Sequence, residues 1–123
     1  MIKVGVDIVK IDRIENMIEK YGRRFLEKNF TSAEIDYCNS KAYPCQHFAG
    51  KFAAKEAVKK ALLSLNPTLM VLMRNVEVKN GIDGIPCIEL HGALKEICKD
   101  YCIEVSISHE KNGYAVAMAM VAI

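Results

Sequence analysis

Apolar positions change period several times along the chain, and each change marks an element. Ile2 to Val9 alternates with period two. Ile2, Val4, Val6 and Ile8 share one side and Lys3, Gly5, Asp7 and Val9 the other, which predicts a strand. Asp12-Arg13-Ile14-Glu15 has the form of a capping box opening a helix to about Tyr21, with Gly22 as its breaker. Thr31-Ser32-Ala33-Glu34 repeats that form and starts a short helix through about Cys38. Asn39 to Gln46 is polar, contains Pro44 and predicts a loop. Phe48 to Leu63 is the longest helical stretch, and Pro67 ends any continuation. Thr68 to Met73 is apolar without a period that assigns it. Arg74–Lys79 and Pro86–Leu90 predict strands joined through turns at Asn80-Gly81 and Asp83-Gly84. Gly92 to Tyr101 predicts a helix with Leu94, Ile97, Cys98 and Tyr101 on its inner face. Ile103–Ser108 and Tyr114–Ile123 predict a second hairpin turning at Asn112-Gly113. The order is that of an α+β fold, an antiparallel sheet packed against helices.

The long helix has several faces. Phe48, Phe52, Glu56 and Lys60 follow at four-residue steps and share one row. Gly50, Ala54, Ala57 and Ala61 offer a small-residue surface for close approach of another backbone. Lys51, Lys55 and Lys59 form a wholly basic row. Glu56 is the odd member of the aromatic row, because a carboxylate among apolar neighbours is costly without a partner. Lys60, one turn on, is the local candidate, and a metal ion is the other. The alanines at 115, 117 and 119 leave one face of the last strand flat enough for a helix or a second subunit.

Composition narrows the classes. The chain has 123 residues, 51% hydrophobic and 26% charged, as expected of one globular domain spanning 1–123. A net charge of +2 argues against a general polyanion binder, so no nucleic-acid partner is expected. No apolar run is long enough to span a membrane, and the first residues lack a signal-peptide layout, so a cytoplasmic location is expected. Five cysteines with no CxxC pair predict free thiols; a zinc site at Cys38, Cys45 and His47 is the weaker alternative.

Four residues carry the chemistry. Asp7 and Glu56 offer hard oxygen ligands of the kind magnesium takes, one or two carboxylates beside substrate phosphates. Lys60 brings a positive charge beside Glu56. His109, at a strand end, suits a proton acceptor or a phosphate contact. Asp7 also reads as a strand-end carboxylate that accepts local hydrogen bonds, and His109 as an exposed structural histidine. The lysine row would extend a phosphate-friendly surface. Arg13, Met17, Lys20 and Arg24 fall near one side at helical spacing, with Phe25 beside them. That mixture suits an acidic amphipathic partner helix, or is a solvated basic face.

GVDIVKIDRIE at the N-terminus, FTSAE, the helix FAGKFAAKEAVKKAL and the C-terminal VSISHEKNGYAVAMAMV resemble, in order and over nearly the whole chain, the motifs of holo-acyl-carrier-protein synthases. These are the small 4′-phosphopantetheinyl transferases. The resemblance implies that family's fold and a homotrimer with active sites at subunit interfaces. It implies transfer of 4′-phosphopantetheine from coenzyme A to a serine of an apo-acyl carrier protein, with adenosine 3′,5′-bisphosphate released, in support of fatty acid biosynthesis. Magnesium is the expected metal and manganese the alternative. By position, Asp7 and Glu56 would be metal ligands. Lys60 would lie by the pyrophosphate, and Lys51 and His109 would contact coenzyme A. Arg13, Met17, Arg24 and Phe25 would receive the carrier protein. The proton acceptor stays open between a metal-held water and Glu56 acting through water.

The chain departs from that pattern in three places. Lys51 stands where the family usually has Arg, keeping the charge without the bidentate fork. Ser64 to Met73 has no glycine where a glycine-threonine-glycine turn is common. Glu110 follows His109 in place of a small hydroxyl residue. Two competing readings use the same residues: a magnesium-dependent hydrolase of coenzyme A or another nucleotide, and a non-catalytic module that binds carrier proteins.

Overall fold

The computed structural model describes residues 1–123. Strand β1 (Ile2–Lys10) leads into helices α1 (Ile11–Tyr21), α2 (Arg23–Asn29), α3 (Ser32–Asn39) and α4 (Pro44–Leu65). A hairpin of β2 (Val76–Asn80) and β3 (Pro86–Leu90) follows, then α5 (Gly92–Ile97) and a second hairpin of β4 (Cys102–His109) and β5 (Tyr114–Ala122). One antiparallel sheet has the order β1-β5-β4, and β2-β3 forms a second, two-stranded one. This is the expected α+β layout.

Local chemistry explains most boundaries. The Thr31 capping box forms: the Glu34 amide donates to Thr31 Oγ1 at 3.2 Å, and the Thr31 amide donates to Glu34 Oε1 at 2.8 Å. The box expected at Asp12 does not form. Helix α1 begins at Ile11 behind Lys10, which makes no side-chain cap, because β1 runs straight into the helix. Gly22 separates α1 from α2 at φ +56, a conformation side chains rarely adopt. Pro44 opens α4 in its first turn, where its missing N–H costs nothing, so the loop before it is shorter than expected. Helix α5 ends at Ile97, which is exposed, so only Leu94 and Cys98 of the proposed inner face are buried. At the β4–β5 turn Asn112 takes φ +63, as a tight hairpin requires.

Helix α4 crosses the three-stranded sheet diagonally, and its small residues set the path. A Cβ on Gly5 would lie 2.1 Å from the Ala57 carbonyl oxygen and 2.9 Å from the Ala61 amide nitrogen. That glycine therefore lets β1 touch the helix backbone. At the other end, a Cβ on Gly50 would meet Ile107 and His109 of β4 at 3.2 and 3.3 Å. Between them lie Ala115, Ala117 and Ala119 of β5, all buried. The flat alanine face is thus covered by this chain's own helix and is not free for a second subunit.

The opposite sheet face is apolar and bare. Val4, Val6 and Ile8 are about 60% exposed and Met118 is 54% exposed. The register sets Val4 beside Met120, Val6 beside Met118 and Ile8 beside Val116. On β4 the same rows end in Glu104, Ser106 and Ser108.

Candidate active site

Three lysines of α4 have different fates. Lys55 is fully buried, and its ammonium donates to Glu34 Oε1 at 2.7 Å, to Val76 O at 2.8 Å and to Met73 O at 2.9 Å. Those acceptors use all three donors of an ammonium. Glu34 is equally saturated, since its other oxygen accepts from the Val78 amide at 2.7 Å. Burial pushes the Lys55 ammonium below its ordinary pKa, with Glu34 opposing. Lys51 is 4% exposed and donates to Val78 O at 2.6 Å and Asn80 Oδ1 at 2.7 Å. Only two of its donors are taken. Burial lowers its pKa too. The row of lysines is therefore not the open phosphate-friendly surface expected. Lys51 and Lys55 turn inward, against β2 and the segment before it, and Lys59 is half-buried.

Lys60 is the exposed member of its row and reaches β1. Its ammonium donates to Val6 O at 2.9 Å and pairs with Asp7 Oδ1 at 3.2 Å. The local partner expected for Glu56 is thus committed to Asp7. Glu56 is half-buried and has no hydrogen bond or ion pair. Asp7 and Lys60 meet at the β1 edge of the sheet, and Glu56 stands one helical turn before Lys60 on the same side of α4. The donor set there is two carboxylates, one without any protein partner and the other held by a single exposed lysine. That fits a hard divalent cation.

Another cluster has metal-like spacing: Glu77, Glu89 and His91. Its charges are already matched. Glu77 accepts from Thr31 Oγ1 at 2.8 Å and lies 2.8 Å from His91 Nε2, while Glu89 pairs with Lys79. Burial pushes Glu77 up, but the His91 and Thr31 hydrogen bonds win and hold it below the usual carboxylate range. All five cysteines are free; Cys38 is buried and its thiol is pushed up to about 12, so it is poorly suited to hold zinc.

His109 lies at the other edge. The register runs Asp7–Ala117–Ile107 across the sheet, and His109 is two residues further along β4. Two strand spacings and two residues of rise put its Cα ~12 Å from that of Asp7. Helix α4 lies over the strand between them. His109 instead helps line a cavity of about 190 Å³ with Tyr37, His47, Gly50, Lys51, Asn80, Gly84, Pro86 and Ile107. Glu110, beside it in sequence, packs over Gly113 of its own turn.

The expected docking residues divide. Met17, Arg24 and Phe25 line one groove of about 410 Å³ with Tyr21, Lys28, Asn29 and Phe52. Phe25 is only 8% exposed; it stacks on Phe52 and meets Phe30 edge-on, so it forms the floor. Arg13 is exposed on α1, outside this groove.

Sequence reasoning missed His47, Tyr37 and Asn80 as cavity residues. A signal existed for His47, which stands one helical turn before Lys51 and so shares its side. The Asn80–Lys51 bond links residues 29 positions apart and left no local trace.

Comparisons with known proteins identify the family and the fold. Residues 3–119 match the model of the 4′-phosphopantetheinyl transferase superfamily. A holo-[acyl-carrier-protein] synthase of Thermodesulfovibrio yellowstonii is 46% identical over 118 residues, covering 96% of each chain. Among solved structures, the holo-[acyl-carrier-protein] synthase of Neisseria meningitidis matches with a TM-score of 0.87 at 26% identity over the full length of both chains. The Helicobacter pylori enzyme, solved in complex with coenzyme A, matches with a TM-score of 0.81 at 30% identity, over 97% of this chain and 99% of that one. The protein belongs to the 4′-phosphopantetheinyl transferase superfamily.

Proposed function

We propose that this chain transfers 4′-phosphopantetheine from coenzyme A to a serine of an apo-acyl carrier protein, releasing adenosine 3′,5′-bisphosphate. The serine Oγ–phosphorus bond forms as the bond from that phosphorus to the departing nucleotide phosphate breaks. The reading is carried by the β1 edge, where Lys60 pairs with Asp7 one helical turn along α4 from the unpartnered Glu56, in a chain that matches the family along its length.

Asp7 and Glu56 would hold magnesium, or manganese in its place. When bound, the ion would neutralise charge on the pyrophosphate. Lys60, with one donor left after Val6 and Asp7, would bind a pyrophosphate oxygen. Lys51 and His109 would hold another part of coenzyme A. Phosphoryl transfer needs positioning and charge neutralisation more than covalent help, so this set suffices. Glu56 has a free carboxylate oxygen to accept the serine proton through a water. Met17, Arg24 and Phe25 would seat an acidic carrier helix in their groove, with Arg13 as a cation on its approach.

Asp7 and His109 stand on the two outer strands of the sheet with β5 between them, and no contact within one chain joins them. A homotrimer with sites between subunits supplies what is missing, the β1 edge of one chain facing the β4 edge of the next. The bare Val4–Val6–Ile8–Met118 face supports this, because exposed apolar patches of that kind are ordinarily covered. A fatty-acid carrier is the expected substrate. No helix is long and apolar enough to cross a membrane, and the reading places the enzyme in the cytoplasm.

The test is the mass of an apo-acyl carrier protein after incubation with coenzyme A, magnesium and this protein, beside a Glu56→Gln control. The expected result is a gain of one phosphopantetheine with the native chain and none with the variant. Breakdown of coenzyme A without any gain on the carrier would favour a hydrolase instead.

A further inference from the structure

The cavity beside His109 holds a residue that neither the motifs nor the reaction assigns. His47 lies half-buried in its wall, 5.3 Å from His109 between ring centroids and steeply inclined to it. Lys51, on the same wall, has one donor left after Val78 and Asn80. The cavity, about 190 Å³, has room for a phosphate group. Two imidazoles and an ammonium on a space of that size suit a dianion.

We propose that His47 is a binding residue of this cavity, its imidazole joining Lys51 and His109 in holding the one phosphate monoester that coenzyme A carries, at the ribose 3′ position. The assignment rests on the transferase reading. The pyrophosphate of coenzyme A is bound where the metal is, which leaves the monoester for this cavity. Its two charges need more than Lys51 alone.

The pair also makes binding pH-dependent. The groups acting on His47 are its own helix's Lys51, His109 from β4, and Lys41 just after α3, all cationic or able to become so, with Tyr37 of α3 edge-on at 6.2 Å. No carboxylate acts on it. Burial, then His109 and the two lysines, hold its pKa below the ordinary histidine value. In the free protein His47 therefore resists becoming charged. A bound dianion reverses that, so binding takes up protons as the pH falls toward the imidazole range. Uptake of one proton corresponds to about a tenfold gain in affinity per pH unit. The gain fades near pH 6, where the phosphate itself begins to take a proton.

The experiment is calorimetric titration of the native protein and of His47→Phe with coenzyme A and with dephospho-coenzyme A, which lacks the 3′-phosphate, from pH 6.5 to 8. Buffers of different ionisation enthalpy report the protons taken up. The native protein is expected to prefer coenzyme A increasingly as the pH falls, by about three- to tenfold per unit. His47→Phe is expected to lose most of that slope and to bind dephospho-coenzyme A as the native protein does. His47→Gln, neutral and able to hydrogen-bond, serves if the phenylalanine variant does not fold, and should lose the slope equally. An unchanged preference and slope in the variant, or equal weakening toward both nucleotides, overturns the role of His47 while leaving the transferase reading intact. Failure of the native protein to bind either nucleotide overturns both.

Discussion

Lys55 and Lys60 sit five residues apart on one helix, yet they belong to regions built on opposite principles. Around Lys55 everything is closed. Its three donors and the oxygens of Glu34 meet protein partners, and both side chains are out of contact with water. Around Lys60 bonds are left open: Glu56 has no partner, Asp7 has one, and Lys60 is 55% exposed. A saturated network fixes geometry and has nothing left to offer a ligand. An under-satisfied one costs stability and is free to bind. The closed network ties the FTSAE segment, α4 and β2 together, and so fixes the rotation of α4 that lets Lys60 reach β1.

That contrast is open to separation by mutation. Lys55→Met leaves Glu34 as a buried, unpaired carboxylate, and breaking such a pair from one side costs about 3–5 kcal/mol. Urea unfolding should show the loss, and a fall below about 1 kcal/mol would show that the network does not lock the fold. Glu56→Gln should do the reverse. Transfer activity is expected to drop by roughly 10²–10³, as for other charge-stabilising groups, while the urea midpoint stays unchanged or rises. An inactive Glu56→Gln protein that is also strongly destabilised would put Glu56 in the closed class. Arg24→Glu, on the rim of the Met17–Phe25 groove, should raise KM for the carrier protein by about tenfold with KM for coenzyme A unchanged. Equal effects on both substrates would remove the groove as a docking surface.

The smallest effect is a titration. Cys38 is buried beside the closed network, and burial holds its thiol up at about 12 against an ordinary 9.0. Below pH 9 folded and unfolded thiols are both protonated, and this contribution to stability is fully present. Between pH 9 and about 12 only the unfolded thiol ionises, so stability is lost as the pH rises, by at most about 1.4 kcal/mol per unit. Lys51 and Lys55, whose pKa values are lowered by burial, act in the opposite sense as the pH climbs toward 10.5. Comparison with Cys38→Ala isolates the thiol: the native protein's stability advantage should shrink steadily above pH 9. A constant difference would mean the thiol ionises freely in the folded state.

Much of the fold was legible because its signals are local. The Thr31 box, the Asn112-Gly113 turn and the alternation of β4 and β5 are each complete within a few residues. The small residues of α4 announced close approach of another backbone, and the structure supplies it at Gly5. What could not be read was which face of an element looks inward. Helical spacing put Lys51, Lys55 and Lys59 in one row, but a basic row ordinarily faces water, and the partner of Lys55 lies 21 residues upstream. Likewise the alternation of β1 divided its residues correctly without showing that Ile2, Val4, Val6 and Ile8 lie outside. Asp7 and Glu56 were singled out as carboxylates in apolar company; the structure joins Asp7 to Lys60 and leaves Glu56 without a partner. His47 and Asn80 were not placed together because a cavity is made by elements far apart in sequence.

The central claim is that the open β1 edge works with the β4 edge of another chain. The direct test mixes two inactive proteins, Glu56→Gln and His109→Ala, after dissociation and reassembly, with mass spectrometry to count mixed trimers. A shared site predicts recovered transfer activity, since some interfaces then pair a native Glu56 with a native His109. Mixed trimers with no activity beyond the two parents would contradict it and place both residues in the same chain's site.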